Sequence, residues 1–175
     1  MSGTGRITGV GASGSALVAA AILLFQMPQA ANADAASLTN DTLLDRVKIE
    51  DMMIEYYTVL SSENHNSLGG YFTENAELDL EKQVFRGRDA IQKLYTEVRD
   101  SKLVPGTHNS TLLNNPRISI HGNTAEMDAI WTVVLCDVLT APPRLIEHGT
   151  DHAEFVKENG RWLIRKRIVV TYSGG

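Results

Sequence analysis

Residues 145–172, LIEHGTDHAEFVKENGRWLIRKRIVVTY, restrict the fold more than any other stretch of the chain. They read as two long strands joined by Glu158-Asn159-Gly160, with Trp162 opening the second. Asn-Gly suits a tight hairpin because both residues tolerate positive φ. Beyond the turn, Trp162, Ile164, Ile168, Val170 and Tyr172 share one parity, interrupted by Lys166; Leu163, Arg165, Arg167 and Val169 share the other. In the first strand Glu147, Gly149, Asp151, Ala153 and Phe155 alternate with His148, Thr150, His152 and Glu154. A period of two sustained this long predicts a half-buried antiparallel sheet, one face of which the rest of the chain must cover.

A chain of 175 residues is long enough for one such domain and short for two. Its 43% hydrophobic and 21% charged content is that of a globular protein. A net charge of −5 offers no basic footprint for nucleic acid. The single cysteine, Cys136, rules out an internal disulfide and reads as a buried small residue within WTVVLC.

Residues 1–33 read as a removable leader, and 34–175 as the domain. The leader has no acid, one Arg (Arg6), an apolar run from Ala16 to Phe25, and Ala31-Asn32-Ala33 as a small-x-small cleavage signature. A run of about ten residues is too short to span a bilayer. The expectation is export to the periplasm or the exterior, with no stable membrane span once the leader is removed.

Downstream, Asn40-Asp41 offers a cap for a helix with a wide apolar face: Leu43, Val47, Ile54 and Tyr57 on one side, extended by Ile49, Met53, Tyr56 and Leu60. A short helical turn through Leu68 follows, then a strand over Ala76–Leu80. Val84–Arg88 reads as a turn into a second helix carrying Ile91, Leu94, Tyr95 and Val98, closed by Pro105-Gly106. Two strands come next, Arg117–Ile120 and Ala125–Val138, around His121-Gly122-Asn123. Helices followed by a run of strands predict an α+β fold with helices on one face of a curved sheet.

The order of a helix, YFTENAELDL, FRGRDAIQKLY, NNPRISIHGNTAEM and AEFVKENGRWLIRKR resembles the SnoaL-like branch of the nuclear-transport-factor-2-like superfamily, over nearly all of residues 40–172. That branch includes scytalone and bile-acid dehydratases, steroid isomerases, polyketide cyclases and diarylpropane formaldehyde-lyases. The resemblance implies a conical, curved antiparallel sheet with helices packed in its concave face and a pocket between sheet and first helix. Fold alone does not fix the reaction.

In the dehydratases of this branch an Asp after the first helix and a His four residues before an Asn form an acid–base pair. The resemblance puts these positions at Ser61 and at Thr111, ahead of Asn115, so both ionisable groups are replaced here. His108 lies three residues before Thr111; it is either a proton carrier in the same cavity or a solvated loop residue. Tyr56 and Tyr57 sit on the roofing helix, where a phenol either donates to a substrate oxygen or packs; about 100° apart, one of them points squarely inward. The resemblance also puts pocket-lining positions at Gly149 and Asp151. Asp151 is the first candidate carboxylate, its protonated form favoured by an apolar cone. His148 is its rival should a bulge shift the parity, and otherwise belongs to a solvated outer face. Trp131 is a wall for an aromatic ligand or a core residue; Arg167 reads as mainly structural, and Asn115 as an amide near the pocket. His148 and His152 lie about 13 Å apart in a strand, beyond a shared metal.

These residues predict a cofactor-independent lyase, dehydratase or isomerase for a small hydrophobic or aromatic substrate. His108, Asp151, Tyr56 and Tyr57 would be catalytic; Ser61, Thr111, Asn115, Trp131 and His148 would bind substrate, with no metal or cofactor. Within that class the missing pair leaves room for the diarylpropane lyase type. Two other classes remain open: an exported ligand-binding protein and a partner-binding module using the outer sheet face. A homo-oligomer, dimer or trimer, is expected.

Overall fold

The structure, a computed structural model, describes residues 39–62, 65–102, 108–136 and 141–172, without the side chains of 98–102. The expected leader, Pro105-Gly106, Val138 and the side chain of Val98 lie outside these residues.

Helix α1 spans Asn40–Leu60. Its cap is Thr39, one residue before the expected pair: the Thr39 hydroxyl accepts from the Thr42 amide at 3.2 Å, and the Thr42 hydroxyl accepts from the Thr39 amide at 2.8 Å. Ile49, Met53, Tyr56 and Tyr57 are buried, while Leu43, Val47 and Ile54 are exposed, so the apolar face is narrower than expected. Asp45 sets that rotation. Its carboxylate accepts from Lys157 Nζ at 2.8 and 2.9 Å and from Trp162 Nε1 at 3.1 Å, which turns its own side of the helix toward the hairpin. At 3.6 residues per turn, Leu43, Val47 and Ile54 then fall on the far side.

A 3-10 helix over His65–Tyr71 leads into β1, Phe72–Leu80. The segment read as a turn into helix is instead strand β2, Gln83–Arg86, paired antiparallel to β1. Glu81 and Lys82 close that hairpin with φ of 54° and 75°, and Asp79 Oδ1 accepts the Lys82 amide at 2.8 Å. Sequence gave no Gly or Asn there to mark it. Helix α2 covers Arg88–Lys102 and buries Ile91 and Tyr95. Strands β3 (His108–His121), β4 (Thr124–Cys136), β5 (Arg144–Glu158) and β6 (Arg161–Thr171) complete the set.

The six strands form one curved sheet in the order β2-β1-β6-β5-β4-β3, antiparallel except for the parallel pair β1–β6. Asn159 and Gly160, with φ of 49° and 79°, make the turn that the sequence signalled. Ala125, Met127, Ala129 and Trp131 point into the core from β4, as their parity predicts.

The second half of β6 departs from simple alternation. Phe155 pairs with Ile164, but the preceding residue, Glu154, pairs with Lys166, so β6 carries one extra residue. This bulge flips the faces. Trp162 and Ile164 point inward before it, and Arg167, paired with buried Ala153, points inward after it. Ile168 and Val170 pass to the outer face instead of continuing the inner row.

Candidate active site

Both tyrosines of α1 reach the interior, where one was expected. Tyr56 is hydrogen-bonded through its hydroxyl to that of Tyr95 on α2. Tyr57 donates its hydroxyl to Asp151 Oδ2 on β5 at 2.7 Å. Their rings stand edge-on at 5.6 Å and 87°, which lets consecutive residues share one buried space.

Asp151 and Arg167 meet at the centre. Arg167 Nε donates to Asp151 Oδ1 at 3.0 Å and Oδ2 at 3.1 Å, and Nη2 donates to Oδ2 at 2.9 Å and to the Tyr57 hydroxyl oxygen at 2.8 Å. The guanidinium also lies over the Tyr56 ring at 4.5 Å and the Tyr57 ring at 5.2 Å. Only 1% of Asp151 and 2% of Arg167 and of Tyr57 is exposed. The apolar surroundings expected for Asp151 are therefore absent: a guanidinium and a phenol satisfy its carboxylate. Burial pushes the Tyr57 phenol far above its ordinary range, against the pull of Arg167, and raises Tyr56 and Tyr95 for the same reason. Burial opposes the Arg167 charge, but Asp151 and the phenols outweigh it and hold the group well above its usual value.

Trp131 is buried on β4, opposite Gly149 on β5, with its Nε1 donating to the Thr150 carbonyl at 3.3 Å. A Cβ at position 149 would lie 2.8 Å from the indole ring and collide with the Val170 carbonyl. Gly149 is what lets the indole lie flat against the sheet.

Ser61 and Thr111, which the resemblance set at the dehydratase acid–base positions, do come together. The Thr111 amide donates to Ser61 Oγ at 2.7 Å, and Ser61 Oγ donates to the Tyr57 carbonyl at 2.8 Å. Here the contact staples the end of α1 to β3.

Three candidates lie elsewhere. His108 pairs with Cys136 on the parity of Ser110 and Leu112, whereas Thr111 and Leu113 share the concave face with Val133 and Trp131. Its imidazole therefore belongs to the outer face, because adjacent strand residues alternate. His148 also faces outward, exposed, its ring 5.9 Å from that of Tyr172. The bulge that could have turned it inward falls earlier in β5, at Ile146, which is left unpaired because Val133 pairs with Glu147 and Val134 with Leu145. Asn115, at φ 50°, sits exposed in a β3 bulge between Asn114 and Arg117, outside the buried cluster.

Sequence reasoning missed Tyr95 and assigned Arg167 only a structural part. Tyr95 had a signal in its helical spacing with Ile91; for Arg167 the signal was Lys166, which broke an otherwise apolar row. Among the described residues no group of three His, Cys, Asp or Glu could hold a metal ion. Two surface clefts are also present. One of about 280 Å³ lies between α1 and β6, lined by Lys48, Met52 and Trp162; one of about 440 Å³ lies between the β1–β2 turn and the end of β6.

No curated protein matches this sequence significantly. Solved structures do. An NTF2-like protein with a cystatin-like fold from Novosphingobium aromaticivorans is 18% identical, with a TM-score of 0.65, over 77% of this chain and 86% of that one. A provisionally assigned scytalone dehydratase from the same organism is 21% identical, with a TM-score of 0.62, over 79% and 93%. ActVI-ORFA from Streptomyces coelicolor is 14% identical, with a TM-score of 0.64, over 73% and 96%. At these identities the likeness establishes the fold. Residues 41–168 match the SnoaL-like domain, most of the chain, and the protein belongs to that family.

Proposed function

We propose that this protein is a cofactor-independent lyase or dehydratase acting on a small, largely apolar aromatic alcohol, with lignin-type diarylpropanes as the first substrates to try. The observation that carries this reading is the buried Tyr57–Asp151 hydrogen bond of 2.7 Å with Arg167 on both partners. In an elimination, Asp151 takes the proton from the substrate carbon as the double bond forms. Tyr57 gives its hydroxyl proton to the departing oxygen, which leaves as water. The proton then passes from Asp151 back to the Tyr57 oxygen along the same hydrogen bond, which restores both groups without a cofactor. Arg167 balances the negative charge throughout. His108 and His148, on the outer face, have no part in it.

The test is incubation of the purified chain with aromatic alcohols and diols, following loss of water or formaldehyde by mass. Tyr57→Phe is expected to lower turnover about 10²-fold or more, and His108→Ala to leave it within about twofold. Turnover that survives Tyr57→Phe and Asp151→Asn sinks the assignment.

A second reading draws on the same cluster. Arg167 already occupies both oxygens of Asp151, an arrangement that suits a non-catalytic, exported ligand-binding protein as well. Saturable binding with no product across the panel would select it.

A further inference from the structure

Asp151 is not alone on its row. Strand side chains alternate, so Glu147, Gly149 and Asp151 all face the concave side, and the registers agree: Glu147 pairs with Val133, Gly149 with Trp131 and Asp151 with Ala129. Val133 packs against the core, and on its other side it pairs with Thr111. Glu147 is thus a carboxylate at the outer end of the concave row, beside Val133, whose other neighbour across the sheet is Thr111. It is half-buried, and it has no hydrogen-bond or ion-pair partner among the described residues. Arg144, paired with Leu135 further out, is exposed and already engaged.

The contrast with Asp151 is chemical. Asp151 has both oxygens satisfied by Arg167 and one of them also by Tyr57, whereas the oxygens of Glu147 accept no hydrogen bond from any described residue. A half-buried carboxylate among apolar neighbours gains most from a ligand that brings its own donor. We infer that Glu147 is a substrate-recognition residue, accepting a hydrogen bond from a hydroxyl on an otherwise apolar small molecule. This rests on the small-molecule reading above and adds a specificity determinant to it.

The spacing also sets the size of that molecule. Glu147 and Asp151 are four strand residues apart, about 13 Å. Midway lies Gly149, with the Trp131 indole against it. A molecule of one or two aromatic rings has the length to set its hydroxyl at Glu147 and its reacting end toward Tyr57. Glu147 belongs to the binding end, so its loss should raise KM more than it lowers kcat.

The experiment is calorimetric binding of two matched probes to the full chain at neutral pH: 4-propylphenol and its methyl ether, which lacks the donor. The wild type is expected to favour the phenol about tenfold, the size of one charge-assisted hydrogen bond. Glu147→Gln should narrow that preference severalfold, and Glu147→Leu should remove it. A preference that survives in both variants overturns the role of Glu147 and leaves the small-molecule reading standing. Equal binding of both probes to the wild type also overturns the role of Glu147 alone. If neither probe binds the wild type, the small-molecule reading itself falls, and this inference falls with it.

Discussion

Arg167 Nε bonds both carboxylate oxygens of Asp151, at 3.0 and 3.1 Å, and its Nη2 bonds Oδ2 again at 2.9 Å, so neither charge at the base of the sheet is left alone. A buried pair of this kind is weak evidence of net stabilisation, but breaking it is costly because one charge is stranded. Arg167→Met should therefore destabilise the protein by about 3–5 kcal/mol. Adding Asp151→Leu to the same chain should recover much of that loss. Chemical denaturation of the two variants measures both; a double variant no more stable than Arg167→Met would mean that packing around the pair matters more than its charge.

Gly149→Ala tests the close approach of β4, β5 and β6. The added Cβ meets the Trp131 ring at 2.8 Å and the Val170 carbonyl more closely still, and backbone cannot swing away as a side chain can. Overpacking of this kind costs about 3 kcal/mol or more. Thermal melting should show the loss, together with a changed Trp131 fluorescence environment. An unshifted melting point would mean that the strands separate more easily than their register implies.

The phenols predict an alkaline limit. Burial, the largest cause, raises Tyr56, Tyr57 and Tyr95 above the ordinary tyrosine range, so the unfolded chain releases these protons first as pH rises. The stability that they contribute is fully present below about pH 10 and is lost as pH climbs beyond it. Tyrosinate absorbance from these three residues should rise together with loss of the circular dichroism signal. Their smooth titration in a still-folded protein would contradict the buried cluster.

We propose that the outer sheet face pairs copies of this chain. Leu112, Ile130 and Val170 remain 45%, 42% and 37% exposed there, on three strands. Light scattering should give a dimer or trimer for the wild type and a smaller species for Ile130→Lys. A monomeric wild type would leave that apolar face without this role.

How much of this could be read from the sequence differs between elements, for one physical reason. The Asn159-Gly160 turn, the inward row of β4 and the helical stripe of Ile91 and Tyr95 were legible because each depends on bonds and periods within a few residues. The β1–β2 hairpin was not, since Glu81-Lys82 adopts positive φ without the Gly or Asn that announces it. The site depended on register. One extra residue in β6 moved Arg167 from the expected outer row to the core, and the pairing of β3 with β4 sent His108 to the outer side. A one-residue slip exchanges every side chain between faces, and the partner strand decides where the slip falls. By itself the sequence determined that this chain builds a helix-covered, curved sheet with Asp151 on its inner row. Only the tertiary structure decided that Arg167 would meet that carboxylate, because a bulge is fixed by cross-strand hydrogen bonds and core packing rather than by the local pattern.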